Sequence, residues 1–346
     1  MGDQVETFAG PTPWWAGISP TAKSMVILDK NLTGEEMLKA ASLDWTVSKR
    51  PLVYGKDPSR VIADADAAGL DMEAVEAALK ETPFEVPNFV ATVRDSDDAY
   101  LGLVTPTYQI VQNSILAELG DALKGAGADW HTAGSLYGGR VVWLQAQIER
   151  ELFINGDPSK YAAYLLIRAG HDGNHPVDFV NTPQRVVCAN TMTLAIDGAK
   201  ARISLRHTTN VANRLDEVAK ALGMANQYLD RFEEVANQLT TVPMSLTDIA
   251  AFTEKLIPSN PQAEHAYRTE KQRQEIIDLF SASTTLDGVP FTAYRAFQAV
   301  AEWTDHVATI NDTKSAYAAD RRADSILDGN AFAVKTAALK LLTPRI

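Results

Sequence analysis

The sequence predicts an α+β fold: an antiparallel sheet of hairpins with a packed helix, followed by an α-helical C-terminal module. From Asn88 onward, β-rich runs are paired around short turn sequences, which is typical of β-hairpins. After about residue 210, apolar residues recur at helical spacing almost to the end of the chain. We therefore expect three parts, an N-terminal α+β segment (1–87), a central sheet with a helix (88–209) and the helical module (210–346).

The N-terminal part is predicted to contain two helical patterns and a strand. Thr33 is followed three residues later by Glu36, which is the capping-box pattern of a helix start, and this helix should end near Ser42. Residues 45–54 have the alternating spacing of a strand. A second helical pattern lies between residues 58 and 83.

Three hairpins are predicted in the central part. Their turns fall at Asp95–Asp98, Gly138–Gly139 and Asp172–Gly173, where acidic residues or glycines interrupt β-rich runs. The sequence NSILAELGDALKG, residues 113–125, predicts a helix packed between the first two hairpins. One more strand is expected from about Lys200. The helical module should then have segments near residues 210–240, 246–256, 264–282, 291–308 and 314–342, broken by Pro258, Pro261, Pro290 and Gly329.

The composition is that of a soluble globular protein. The chain has 346 residues, of which 46% are hydrophobic, so it can bury a sizeable core. Its single cysteine excludes an internal disulfide, and it contains neither an apolar run that could span a bilayer nor a signal-peptide pattern. We expect a cytoplasmic protein that does not associate with membranes.

The charge is unevenly distributed along the chain. The formal net charge of −12 argues against strong general binding to nucleic acids. Residues 1–88 carry 8 basic and 14 acidic side chains, and residues 215–346 carry 13 and 18. Residues 160–214 carry 7 basic and only 3 acidic side chains, so the middle of the chain is locally basic.

Catalytic and metal chemistry are weakly indicated. A cysteine at a helix start can be a nucleophile, with His207 as a base, but the apolar neighbours of Cys188 favour a packed residue at the start of a helix. In the sequence HDGNH, His171 and His175 are spaced as metal ligands on a helix, but Asp172–Gly173 favours a hairpin turn. We predict no catalytic residue, no cofactor and no metal ion.

The remaining candidates are cations on or beside the central sheet. In the strand ARISLRH, Arg202, Ser204 and Arg206 should share one face, so that this face carries two guanidinium groups as candidate ligands for the phosphates of an extended single strand. The predicted nucleic-acid-binding residues are Arg168, Arg185, Lys200, Arg202, Arg206 and His207. Two alternatives stay open: surface arginines paired with carboxylates, and a buried pairing of Arg185 with Asn190 or Asp197.

Several stretches resemble, in order, segments of a phage/plasmid-like protein family, the family of domain of unknown function 932. The most specific are residues 185–191 (RVVCANT), 206–208 (RHT) and 301–306 (AEWTDH). The family usually has one Trp followed by His-Gly near the N-terminus, whereas this chain has WWAG at residues 14–17, so no role of that histidine carries over. The resemblance implies a mobile-element protein of the host cytoplasm, with Arg185, Cys188 and the Asn-Thr pair at one helix start.

The predicted architecture is also similar to that of single-strand annealing proteins, which act as oligomers. On this fold analogy we expect a non-enzymatic, homo-oligomeric protein of DNA metabolism that binds single-stranded DNA and is a candidate for annealing it. The alternative is a cytosolic interaction or counter-defence protein that binds host proteins through its acidic ends. The DNA-binding hypothesis requires the arginines on one open groove, and the alternative requires an exposed apolar patch.

Overall fold

The fold is taken from a computed structural model. It describes residues 25–27, 32–55, 57–79, 84–125, 127–185, 190–205, 216–259, 266–309, 318–327 and 329–343. The strands are β1 (Met25–Ile27), β2 (Val47–Tyr54), β3 (Phe84–Arg94), β4 (Ala99–Val104), β5 (Ala128–Leu136), β6 (Val141–Ile148), β7 (Tyr161–Gly170), β8 (Val177–Asn181), β9 (Gln184–Arg185), β10 (Asn190–Thr191) and β11 (Arg202–Leu205). The α-helices are α1 (Gly34–Ala40), α2 (Pro58–Ala68), α3 (Met72–Leu79), α4 (Asn113–Gly125), α5 (Asp216–Thr240), α6 (Leu246–Leu256), α7 (Ala266–Ala282), α8 (Ala293–Glu302), α9 (Ala318–Leu327) and α10 (Asn330–Leu342).

The strands form two antiparallel sheets. The larger sheet has the order β1-β5-β6-β7-β8-β11, with β9 paired to β7 and β10 paired to β9. The smaller sheet has the order β2-β3-β4. The predicted α+β class is therefore confirmed, as are the three hairpins β3–β4, β5–β6 and β7–β8.

Local sequence signals explain where several elements begin and end. The Thr33 side chain accepts a hydrogen bond from the Glu36 backbone, and the Glu36 side chain accepts one from the Thr33 backbone, so the predicted capping box is present. Helix α6 coincides with its predicted range, residues 246–256. The helical pattern predicted over residues 314–342 forms two helices in its described part, α9 and α10, which are separated at the predicted break at Gly329.

Helices cover both faces of the larger sheet. On one face α4 packs so closely that Gly120 lies against the Trp130 ring, and this face joins the main core. On the other face, Trp143 and Leu166 pack with Ile326 of α9 in a second core. Strand β7 is buried along all ten residues because it has helices on both sides.

The predicted helix after Cys188 is wrong in its described part. Cys188 itself lies outside the described residues, but Asn190 and Thr191 form β10, in which Asn190 is paired with Arg185 of β9. Met192 and Leu194 are fully buried, and apolar residues buried on all sides do not reveal which period the backbone follows. The helix start that the family resemblance implied is thus replaced by two short paired strands.

The three predicted parts of the chain are closely connected. Strand β2 pairs with β3 across the boundary predicted at residue 87, and the main core includes residues from Met37 to Leu342. The boundaries at residues 87 and 209 stay predictions. None of the described helices is both long and apolar enough to cross a membrane.

Candidate interaction surface

Arg168 is a buried structural residue, which contradicts its predicted role as an accessible phosphate ligand. Its side chain is 1% exposed, and its Nε donates to Asp178 Oδ2 at 3.0 Å. A terminal nitrogen also lies 3.2 Å from Asp324 Oδ1 on α9. Because α9 covers this face of the sheet, a phosphate group cannot reach Arg168.

Arg185 is likewise buried and paired. Nε and a terminal nitrogen donate to the two oxygens of Asp157 at 2.8 and 2.9 Å, and the other terminal nitrogen donates to the Thr285 carbonyl at 2.6 Å. Both members of the ion pair are 0% exposed. A buried pairing of Arg185 was one of the open alternatives, but its carboxylate partner is Asp157 rather than Asp197.

Lys200 and Arg202 are the predicted cations that remain on the surface. Strand β11 alternates as expected, with Arg202 and Ser204 exposed and Leu205 buried. Arg202 lies 3.8 Å from the buried Asp178 carboxylate, while 39% of its side chain stays exposed. Arg206 and His207 lie outside the described residues.

The sequence HDGNH forms the predicted turn. Gly173 has φ +80°, and the Asp172 carboxylate accepts hydrogen bonds from the backbone of Asn174 and from His175 Nδ1, the latter at 2.9 Å. Hydrogen bonding to Asp172 raises the pKa of His175 to about 9. Burial alone would raise the pKa of Asp172, but its bonds with His175 and the turn lower it to about 2. The pair is an internal ion pair of the turn.

His171, the other histidine of this turn, is fully buried. Its Nε2 lies 3.0 Å from Asn113 Oδ1, and its ring packs edge-on against Trp45 at 5.4 Å. These contacts join the turn to α4 and to the segment before β2. In the described part of the chain, no group of three or more His, Cys, Asp or Glu side chains is arranged to hold a metal ion.

Two of the three family-like segments meet in the interior. The Thr191 backbone N–H donates to Asp305 Oδ2 at 2.8 Å, and Lys335 Nζ donates to Asp305 Oδ1 at 2.9 Å and to the Thr191 carbonyl at 2.8 Å. Lys335 and Asp305 are 0% and 1% exposed. Burial lowers the pKa of Lys335, and Asp305 opposes this effect. The cluster ties residues 185–191 to residues 301–306 and to α10.

A second buried cluster surrounds Asp157. Its Oδ2 accepts hydrogen bonds from the hydroxyl groups of Tyr161 and Tyr294 at 2.9 and 2.7 Å, besides the bond from Arg185. Gln298 donates to the Tyr294 hydroxyl at 3.0 Å. Burial opposes ionisation of Asp157, but its bonds with Arg185 hold its pKa below the usual value. The side chains of this cluster are buried, so the cluster stabilises the core and exposes no reactive group to solvent.

An open groove lies between α2, α3 and the ends of β2 and β3. The groove has a volume of about 580 Å³, and its apolar walls include Tyr54, Val61, Leu70, Val75 and Phe84. The rings of Tyr54 and Phe84 stack across the two strands at 5.4 Å. We call this feature the apolar groove.

The helices beside the apolar groove have little core of their own. Only Val61, Ala65 and Val75 form their buried cluster, with Ala78 partly buried against it. Among the described residues, ten of the fifteen exposed large hydrophobic side chains lie between residues 53 and 103. Leu70 and Met72 are 56% and 67% exposed. Apolar surface is therefore concentrated on this part of the molecule.

The rim of the apolar groove has a small acidic excess. Its charged lining residues are Asp57, Asp64 and Arg60, and Arg60 Nε lies 4.0 Å from Asp64 Oδ2. Four further exposed carboxylates of residues 57–79, Asp66, Asp71, Glu73 and Glu76, lie nearby but do not line the groove. Asp57 caps α2 by accepting from the Ser59 backbone at 2.9 Å, and its carboxylate still lies at the rim. Apolar walls and an acidic rim together select for a ligand that is both apolar and cationic.

Sequence reasoning missed the carboxylates that neutralise the arginines, namely Asp157, Asp178 and Asp324. A signal for the burial of Arg168 was present, because YAAYLLIRAG is a nearly continuous apolar run, which is typical of a strand covered on both faces. The apolar groove had a weaker signal, an acidic helical pattern between residues 58 and 83 that also contains Leu70, Met72 and Leu79.

Comparison with known proteins places the chain in a family. No curated protein and no solved structure matches it. The family model described as "Domain of unknown function (DUF932)" matches residues 100–327, about two thirds of the chain. The match includes the larger sheet from β5 onward, the cluster around Asp157, Thr191 and Asp305 of the other cluster, and α9, whereas Lys335 lies beyond it. The chain therefore belongs to the DUF932 family.

Proposed function

We propose that this protein is a protein-interaction module that binds a basic amphipathic segment of a partner protein in the apolar groove. The observation that carries the proposal is the combination, at one place, of an open apolar groove and exposed carboxylates. The proposal agrees with the alternative drawn from the sequence, which required an exposed apolar patch in an acidic part of the chain.

The size and lining of the groove fit the apolar side chains of a bound helix. A volume of about 580 Å³ is that of a well-formed binding site, and its walls come from two helices and two strand ends. An amphipathic helix commonly binds by inserting apolar side chains, spaced three and four residues apart, into such a groove. Leu70 at 56% exposure gives the partner an apolar surface to bury.

The charge of the rim determines which charge a partner segment should carry. Residues 57–79 contain six exposed carboxylates and one arginine. Lysines and arginines that flank the apolar side chains of a partner would therefore find opposite charges. Complementary charges increase the association rate and exclude partners of like charge. Binding should therefore weaken as salt rises, while the apolar contacts keep part of the affinity.

Fluorescence anisotropy with model peptides tests the proposal. The probes are a labelled amphipathic helix of about 18 residues with a leucine face and a lysine face, and the same peptide with glutamate in place of lysine. We expect the lysine peptide to bind and the glutamate peptide to bind at least about tenfold more weakly. Equal binding of both peptides would show that the acidic rim does not select the ligand.

Matched variants locate the binding. Leu70→Glu adds a charge to the wall of the apolar groove, and Leu246→Glu makes the same change at an equally exposed leucine of α6, outside the groove. We expect Leu70→Glu to abolish binding of the lysine peptide and Leu246→Glu to leave it unchanged. If the groove instead joins two copies of this chain, light scattering will show a dimer that Leu70→Glu dissociates, and the peptide proposal fails.

Single-stranded DNA binding is the second candidate function. It is supported by the exposed Lys200 and by Arg202, which is 39% exposed on the edge strand β11. Phosphate binding by these cations would require the DNA strand to run along the outer edge of the larger sheet. Annealing and self-association belong to this candidate, as does action in the cytoplasm of a cell that carries the mobile element.

A salt series with labelled oligonucleotides tests this second candidate. For the double variant Lys200→Gln, Arg202→Gln, loss of two phosphate contacts should reduce the slope of log affinity against log salt by about 1.4. The fold should survive, because exposed surface substitutions usually change stability by about 0.5 kcal/mol or less. Absence of binding by the wild-type protein at low salt would reject this candidate and leave the apolar groove as the functional surface.

A further inference from the structure

A polar cleft lies between α8, α9 and α10, away from the apolar groove. A π-helical turn, Trp303–Val307, continues α8 and forms one wall of the cleft, and α9 forms another. The cleft has a volume of about 320 Å³. The lining residues used in the argument are Trp303, Thr304, Arg321, Arg322, Ser325 and Asn330.

Arg322 is held rigidly in the wall of this cleft. Its two terminal nitrogens donate to the carbonyl oxygens of Asp305 and Ala308 at 3.0 and 2.9 Å, at the end of the π-helical turn. Among the described residues, no carboxylate forms an ion pair with Arg322. Burial lowers its pKa and the nearby Asp305 raises it, but a guanidinium stays protonated in proteins. The wall therefore carries a fixed positive charge.

The Asp305 carboxylate, which lies near Arg322, is bound to other groups. Asp305 Oδ1 accepts from Lys335 Nζ at 2.9 Å, and Asp305 Oδ2 accepts from the Thr191 backbone at 2.8 Å. The cation that Asp305 binds through its carboxylate is Lys335, while Arg322 contacts its main-chain carbonyl. The Asp305 carboxylate therefore neutralises Lys335, and the positive charge of Arg322 lies in the wall of the cleft.

The other walls of the cleft contain uncharged hydrogen-bonding groups, and they add to its positive electrostatic potential. Ser325 Oγ accepts from the Ala331 backbone at 3.1 Å, which leaves its hydroxyl hydrogen for another acceptor. Asn330 is the first residue of α10, so the amino end of this helix lies at the cleft, where Ser325 Oγ binds one of its first amide groups, the Ala331 N–H. The positive end of a 13-residue helix therefore adds to the charge of Arg322. The exposed Arg321 completes this side of the cleft.

We propose that this cleft binds a small phosphate-bearing anion, either free phosphate or a phosphomonoester of a small organic molecule. Guanidinium groups bind phosphate oxygens through charge-assisted hydrogen bonds, and hydroxyl and amide groups complete such sites. The volume of about 320 Å³ accommodates a phosphate with a small organic group. The Trp303 ring, oriented by its bond to Glu275 Oε2 at 2.8 Å, provides an apolar wall for that group.

Isothermal titration calorimetry with three probes tests the proposal on the full chain. The probes are inorganic phosphate, ribose 5-phosphate and ribose, at constant ionic strength. We expect phosphate and ribose 5-phosphate to bind and ribose not to bind. Tighter binding of ribose 5-phosphate than of phosphate identifies an ester as the ligand class, and equal binding identifies free phosphate. Absence of heat for both anions at about 10 mM overturns the proposal.

Two variants and a control locate the anion. Arg322→Gln removes the fixed charge, and Asn330→Asp places a carboxylate at the amino end of α10, where it stabilises the helix while repelling an anion. Each should weaken binding by about tenfold or more, and Asn330→Asp keeps the test decisive if Arg322→Gln does not fold. Arg268→Gln, at an exposed position of α7, is the control. Unchanged binding in folded Asn330→Asp overturns the proposal. Because the cleft lies outside the apolar groove, this result is independent of the peptide experiment.

Discussion

Arg185 and Asp157 form a two-point ion pair in the interior, with Nε and a terminal nitrogen of the arginine 2.8 and 2.9 Å from the two carboxylate oxygens. The arginine lies on β9, and the aspartate lies in the segment between β6 and β7. A further bond from Arg185 to the Thr285 carbonyl at 2.6 Å joins this pair to the helical module. The pair therefore connects the sheet with the helices that cover it.

The first prediction is that breaking this pair destabilises the protein strongly. Arg185→Met leaves the Asp157 carboxylate buried without its cation, and removal of one partner of a buried pair typically costs about 3–5 kcal/mol. Denaturant unfolding measures the change. The double variant Arg185→Met, Asp157→Leu leaves no buried charge and should recover part of the loss. A change below about 1 kcal/mol in Arg185→Met would show that the pair is not a structural connection.

The second prediction concerns the turn that contains His175. The folded pKa of His175, about 9, lies above the usual histidine value of 6.5, because the ring bonds to Asp172. The stabilisation is therefore fully present below about pH 6.5 and is lost as pH rises through about 9. In thermal unfolding, His175→Gln should lower the melting temperature most at pH 6 and progressively less towards pH 9. A difference that does not change with pH would contradict the ion pair.

The third prediction concerns Asp320, whose pKa burial raises to about 6 from 3.8. The folded state favours the protonated form, so this contribution to stability is present below about pH 4 and is lost as pH rises through 6. Asp320→Asn removes the charge, and its amide oxygen can still accept the bond from the Tyr137 backbone. The variant should melt at a higher temperature than the wild type at pH 7.5 and at a similar temperature near pH 4.

Asp324 provides the matched comparison one helical turn further along α9. Its carboxylate accepts bonds from Arg168 and from the Tyr137 hydroxyl, so Asp324→Asn should lower the melting temperature at pH 7.5. If Asp320→Asn raises the melting temperature and Asp324→Asn lowers it, the buried charge of Asp320 costs stability, whereas the charge of Asp324, which is paired with Arg168, contributes to stability. A stabilising Asp324→Asn would contradict the arrangement around Arg168.

The fourth prediction tests the packing of α4 against the larger sheet. A Cβ atom at Gly120 would lie 1.8 Å from Cη2 of Trp130, so Gly120→Ala forces α4 or the ring to move. Such overpacking typically costs about 1–3 kcal/mol, more than the helix propensity that alanine adds. Gly125→Ala in the same helix meets no atom within 4 Å and should be neutral or stabilising in denaturant unfolding. Equal stability of the two variants would contradict this packing.

The sequence correctly predicts those parts of the fold whose signals lie within a few residues of one another. The capping box of Thr33 and Glu36 and the turns at Gly138–Gly139 and Asp172–Gly173 act locally, so their patterns predict the element boundaries. The helix start predicted at residues 185–191 is wrong in its described part, because buried apolar residues can fit more than one period.

The predicted site could not be resolved from the sequence because burial and pairing are tertiary properties. Arg168 and Asp324 are 156 residues apart, and only the position of α9 over the sheet brings them together. A buried ion pair and an exposed phosphate ligand use the same residue type, so the arginines alone could not distinguish the two roles. The apolar groove likewise depends on how little of α2 and α3 is covered.

Hydrogen–deuterium exchange with and without the lysine peptide tests the central claim most directly. If the apolar groove is the interaction surface, the bound peptide should slow exchange in α2, α3 and the adjoining end of β3, while α6 exchanges at an unchanged rate. Protection at α9 or at β11, with no change over residues 57–79, would contradict the proposed function and assign binding to another surface.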